Sequence, residues 1–262
     1  MCTLTGVRQG GTLQVVCSRD ESPLRPRAIP PRESRVGGVS TLTPIDPQGG
    51  GTWLGVNAAG LVIAILNMSH PHVPAAGRES RGIIIPSLLE HTRAVDALAA
   101  ARSIDARRFR GFRLAIIDLD GLHIILGDGE RIEHIRHDAD PAAWCLASSG
   151  LGDAVVEPPR QALFRDLVVT SRDRLAAQRA YHEHRWPECP HLSVDMDRGE
   201  ARTVSVTSVE IAFADGGTPR TIAMTHHDRI SGQTHAATMA ADPASADELN
   251  ASSARHTAER TT

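Results

Sequence analysis

The sequence predicts an α+β chain built as a four-layer αββα sandwich, two stacked antiparallel sheets with helices over their outer faces. Three observations point there. Strand and helix patterns run in the order four strands, helix, four strands, helix, two strands, which is not the regular alternation of a doubly wound parallel sheet. Neighbouring strand patterns are joined by short turn-forming segments, as antiparallel hairpins require. A chain of 262 residues, 41% of them apolar, is also long enough to bury a core of that size.

Each element has its own signal. Period-two alternation over residues 3–7 and 12–18, around a turn at 8–11, predicts the first hairpin, and residues 52–56 and 61–67 around Asn57 to Gly60 predict a second. Between them, residues 22–51 are rich in Pro, Arg and Gly with little apolar content, which predicts a long loop. Residues 87–101 place Leu88, Leu89, Val95, Leu98 and Ala99 near one stripe of a helix. Strands are expected at 112–118, 122–126, 131–135 and 144–147, a second helix over 159–184, and final strands at 202–213 and 221–225. These elements make one domain, residues 2–226. From His227 the sequence turns to Ala, Ser, Thr, Asp and Gly with few apolar anchors, predicting a disordered tail over 227–262.

Composition excludes several function classes. All 28 basic residues are arginine. Without a lysine there is no Schiff base, no P-loop lysine and no kinase strand lysine, which removes pyridoxal, Walker-type and kinase sites. A net charge of −3 argues against a nucleic-acid binder, which needs a concentrated basic face. No apolar run approaches the ~18 residues of a membrane span, so none is expected. The opening residues lack the basic and apolar pattern of a secretory signal, and Cys2, Cys17, Cys145 and Cys189 are too scattered for a disulfide framework, so the expected compartment is the cytoplasm.

Cys2 is the first residue with a mechanism attached. A small residue at position 2 allows the initiator methionine to be removed, so the mature chain is expected to begin at Cys2 with thiol and α-amine on one residue. Their ordinary pKa values, about 8.5 and about 8, are close enough for the nucleophile to carry its own base. Taken alone, Cys2 supports two readings, this one and an ordinary cysteine near a terminus. Ser18, Arg19, Asp20 and Glu21 end the strand that pairs back onto Cys2, bringing a guanidinium and a carboxylate beside it. A cation there favours the thiolate, and a carboxylate can accept from the amine. Adjacent strand residues face opposite sides, however, so Arg19 and Asp20 both reach the site only if the strand bends. As an isolated run the four residues also fit a solvated hairpin end. Gly49, Gly50 and Gly51 suit either a backbone closely approaching the nucleophile or a plain turn, and Trp53 reads as a core anchor.

Met1-Cys2, Arg19-Asp20-Glu21 with Arg25-Pro26, and Gly50-Gly51-Thr52-Trp53-Leu54-Gly55-Val56-Asn57 together resemble the NRDE family, also called the transport and Golgi organisation 2 family. Asn67 matches the asparagine after that family's apolar strand, residues 146–153 match its later Leu-Ser-Asn segment loosely, and Arg202-Thr203 lies near a Thr-Arg-Ser-Ser-Thr strand. The resemblance implies an N-terminal-nucleophile (Ntn) hydrolase fold, related to acylases that cleave bile-salt and penicillin amides. It implies catalytic roles for Cys2, Arg19, Asp20, Asn67 and Ser148, with Asn67 or Ser148 holding the oxyanion. Ser18 replaces the asparagine that opens the Asn-Arg-Asp-Glu motif, and Ser148 stands where an asparagine is expected. Losing an oxyanion donor lowers rates by ~100-fold or more, so an inactive scaffold is a further reading.

The leading expectation is hydrolysis of an amide or related acyl bond of a small molecule by Cys2, with no cofactor and no metal. The rival, also implied by the resemblance, is a carrier or trafficking factor that binds haem or a metal. His182, His184, Cys189 and His191 lie close enough in sequence to suggest zinc, though at no standard spacing, and a loop of surface residues fits them equally. His70 with His72, His134 with His137, and His226 with His227 read as surface histidines.

Overall fold

A computed structural model describes residues 2–68, 79–136 and 142–242. The first hairpin joins β1 (Cys2–Gln9) to β2 (Thr12–Glu21) through Gly10 and Gly11, at φ +59 and +75, where a two-residue turn matching the twist of the strands favours glycine. The expected loop over 22–51 is instead largely a second hairpin, β3 (Ile29–Val36) and β4 (Val39–Ile45). Composition misled here because β3 is an edge strand with mostly exposed side chains. Pro30 and Pro31 are tolerated because they lie on an edge strand, at a register shift against β4 between Ile29 and Arg32.

β5 (Leu54–Asn57) and β6 (Val62–Asn67) follow as expected. The Asn57 carboxamide oxygen accepts the backbone N–H groups of Ala59 and Leu61. Its nitrogen donates to the carbonyls of Leu89 and His91, where the expected first helix breaks into α1 (Ile84–Leu88) and α2 (Ala94–Arg102). Then come β7 (Phe112–Asp118), β8 (Gly121–Gly127), β9 (Ile132–Arg136) and β10 (Ala143–Ser148).

The second helical segment starts earlier than expected. α3 (Asp153–Phe164) takes Pro158 and Pro159 inside it, and a π-helical turn, Arg165–Val169, follows. α4 (Arg174–His182) restarts at Asp173, whose carboxylate caps the Ala176 N–H. β11 (Arg202–Phe213) and β12 (Pro219–Asp228) complete the expected strands. A further strand, β13 (Thr234–Ala240), pairs with β12 inside the region expected to be a tail, and its Met239 enters the core. Ordered sheet thus extends beyond residue 226. Residues 243–262 of that expected tail lie outside the described residues.

The strands form two antiparallel sheets, ordered β10-β1-β2-β11-β12-β13 and β3-β4-β5-β6-β7-β8-β9. Leu4, Val15, Leu54, Ala64, Ile117, Leu146 and Val209 interlock between them as the main core. Outside the second sheet, α1 and α2 pack on Ile63, Leu114 and Ile125. Outside the first, α3 and α4 pack on Val7, Ala143 and Cys145 through Phe164 and Tyr181. This is the four-layer αββα sandwich. Because every central strand is covered on both faces, β2 is buried from Leu13 to Asp20 without alternation. Arg113 of β7 reaches across the layers to Asp153, Glu157 and the Ala147 carbonyl, fixing the edge strand β10 beside β1.

Candidate active site

Cys2 opens β1 between two neighbours, paired with Arg19 of β2 on one side and Ser148 of β10 on the other. Period-two geometry turns Cys2, Cys17 and Arg19 toward the inter-sheet side, and Thr3, Ser18 and Asp20 toward the helices. At that end of the sandwich a cavity of about 360 Å³ is lined by Cys2, Arg19 and Asp20, by Asp46, Gly49 and Gly51 after β4, by Trp53, Ile65 and Asn67, and by the turn at Arg81 and Gly82.

β2 itself shows no bulge: it pairs with β1 without a register shift as far as Cys2↔Arg19, and Arg19 and Asp20 face opposite sides while both line the cavity at the end of the strand. The extra residue lies in β11, whose register against β2 slips between Thr203 and Ser205, opposite the Arg19–Asp20 step. Arg19 lies over the Trp53 ring at 4.4 Å and binds Asp46 at 3.1 Å, while Asp46 also takes Arg25 at 2.6 Å. Asp20 accepts from the Thr203 hydroxyl at 2.6 Å and stands 3.6 Å from Arg160, both buried. Burial raises the Asp20 pKa, while Arg160 and then the Thr203 hydrogen bond pull it back.

The thiol of Cys2 is lowered to about 7, first by a hydrogen bond from Cys17, against burial, then by the N-terminal charge, against Asp20, and last by the Arg19 charge. Cys17 is pushed well up by the same hydrogen bond and by burial, so the pair holds its negative charge on Cys2. The Cys2 backbone N–H donates to Ser148 Oγ at 3.3 Å, which places that hydroxyl at the nitrogen rather than across the cavity. Asn67 lies on the opposite sheet and lines the same space. Gly51 is there for close approach, since a Cβ on it would meet the backbone of Gly82 at 2.3 Å.

The histidine cluster does not form. His182 is buried beneath β1 and β2, its ring nitrogens bonded at 2.7 Å to Thr5 and Ser18, and burial lowers its pKa to about 3. His184 meets the Trp186 ring edge-on instead, and no group of three metal-binding side chains occurs among the described residues. His226 is buried against Trp53 rather than on the surface. His134 stacks on His123, and His70, His72 and His137 lie outside the described residues. Sequence reasoning missed Asp46, Arg81 and Arg160. Arginines in a helix pattern or a loop carry no mark of burial, whereas Thr203 was within reach through the Arg-Thr match.

The nematode Caenorhabditis elegans N-acylethanolamine-hydrolyzing acid amidase ortholog has a similar fold, with TM-score 0.53 and 11% identity over 80% of this chain and 92% of that one. A cysteine-to-alanine variant of conjugated bile acid hydrolase from Clostridium perfringens aligns with TM-score 0.52 and 12% identity, over 91% of this chain and 92% of that one. An arginine-to-leucine variant of the same hydrolase gives 0.51 and 12% over the same shares. These likenesses establish an Ntn-hydrolase fold. No helix among the described residues is long and apolar enough to cross a membrane. No curated protein matches the chain in sequence. The profile of transport and Golgi organisation 2 matches residues 1–161, more than half of the sequence, and the chain belongs to that family.

Proposed function

We propose that the protein is an N-terminal-nucleophile hydrolase of small-molecule amides or related acyl compounds. One observation carries this reading: the thiol lowered to about 7 belongs to the residue whose own nitrogen adjoins Ser148 and whose neighbours in the cavity are Arg19 and Asp20. Removal of Met1 converts that nitrogen into an amine. The amine takes the thiol proton, the sulfur attacks the carbonyl carbon, and the Asn67 carboxamide donates to the oxyanion. Collapse expels the leaving amine, which takes the proton back from the α-ammonium, and leaves a thioester on Cys2. Water, deprotonated by the same amine, attacks the thioester, and the acid departs as the thiol is restored. Arg19 holds the thiolate, and Asp20 and Ser148 orient the amine.

Intact-mass measurement tests the scheme. The purified protein is expected to lack Met1 and to carry a hydroxylamine-labile acyl group during turnover of an amide and ester panel, and Cys2→Ala is expected to remove that group. Quantitative retention of Met1, or turnover indifferent to Cys2→Ala, overturns it.

A further inference from the structure

We propose that Arg81 and Arg110 form an anion subsite in the cavity that holds Cys2, and that the ligand carries a compact oxyanion, carboxylate or phosphate, on one arm. The charges around the cavity motivate this. Each carboxylate lining it already has a cation: Asp46 has Arg19 and Arg25, Glu21 has Arg25, Asp20 has Arg160, and Glu79 has Arg108. Arg81 and Arg110 remain. Among the described residues neither lies within ion-pair distance of a carboxylate, and the Arg81 guanidinium has one acceptor, the Gly111 carbonyl at 2.8 Å.

Arg81 is half-buried, and its pKa is lowered by burial and then by the nearby Arg110 charge, with Cys2 and Glu21 only partly offsetting them. Two like charges facing one cavity are unfavourable until an anion joins them. The position of Arg81 is built rather than accidental, because its turn is fixed by the close contact of Gly51 with Gly82 and by the Thr52 N–H bonding the Gly82 carbonyl at 3.1 Å. Two guanidinium groups match the oxygens of a carboxylate or phosphate. A volume of about 360 Å³ leaves room for a small acyl compound beside such a group. That this ligand is a hydrolysable substrate rests on the Cys2 reading; the anion site itself does not.

The test is calorimetric, on the Cys2→Ala protein, with N-hexanoylglycine, uncharged N-hexanoylglycinamide and O-phospho-N-hexanoylethanolamine. One or both charged ligands are expected to bind about tenfold tighter than the amide, the tighter one naming the oxyanion. Arg81→Met and Arg110→Ala are each expected to reduce the preference to about twofold, Arg81→Lys to restore part of it, and Arg107→Ala, which removes the same charge elsewhere, to leave it intact. Arg110 is exposed, so its variant keeps the test valid if Arg81→Met fails to fold. No preference for an anion, or a preference that survives Arg110→Ala, overturns the subsite. A preserved preference with no turnover by the Cys2 protein sinks the nucleophile reading alone.

Discussion

Asp20 and Arg160 are each 1% exposed and 3.6 Å apart, so each replaces the water the other has lost. Arg160 spends its remaining donors on the Thr3 hydroxyl and the carbonyls of Leu192 and Ser193, which ties α3 to the strand carrying Cys2. Removing one member of such a pair strands a buried charge. Arg160→Met is therefore expected to destabilise the fold by about 3–5 kcal/mol. Adding Asp20→Asn should return part of the loss, the part owed to the carboxylate, and urea denaturation of both variants measures it. Equal stability of single and double variants counts against the coupling. The thiols give a second prediction at this scale. With Cys2 lowered to about 7 and Cys145 raised to about 12 by burial, iodoacetamide should label Cys2 first, with a rate midpoint near pH 7. Arg19→Ala should move that midpoint upward, and an unchanged midpoint would remove Arg19 from any part in holding the thiolate.

Edge strands are where sequence and structure part. Cys2, Arg19 and Asp20 were legible because a tight turn makes β1 and β2 neighbours by local rules, whereas Asn67 and Ser148 were named only through the family resemblance, since nothing local marks the end of a distant strand as part of a site. β3 and β13 were not legible, since each buries little and owes its conformation to the ladder of its one neighbour. Thr234 to Ala240 present one buried side chain, Met239, with the rest half or fully exposed, so composition reads them as a tail. Their pairing with β12 from Thr221↔Ala240 to His227↔Thr234 nonetheless covers the outer edge of the sheet. A chain ending at Gln233 is expected to melt several degrees lower than one ending at Asp242, because it loses a strand ladder and uncovers core around Met224. Identical melting of the two by calorimetry would mean that β13 contributes nothing to the sandwich.

The sandwich as a whole hides two neutral imidazoles on opposite faces of one sheet, His182 between Thr5 and Ser18 under the helices and His226 between Thr207 and Trp53 in the inter-sheet layer. Burial is the main cause in both, lowering them from the ordinary 6.5 to about 3 and about 4. The sign follows from proton counting. Above pH ~6.5 neither state binds these protons; below it the unfolded chain takes them up and the folded chain refuses, so stability is lost as pH falls toward 4. Each histidine contributes a slope of about 1.4 kcal/mol per pH unit within that window. Asp20 works the other way, since its raised pKa lets the folded state hold a proton the unfolded chain releases. The total slope therefore mixes signs, and the difference between variants is the cleaner quantity. His182→Gln cannot protonate and can still bond a hydroxyl, so its stability, measured by urea unfolding from pH 7 to 4, should fall less steeply than that of the parent by about one proton. It can be the less stable protein at pH 7 and still show this. Equal slopes would mean that His182 is already open to protonation in the folded state, and the tight packing of α4 on β1 and β2 would have to be abandoned.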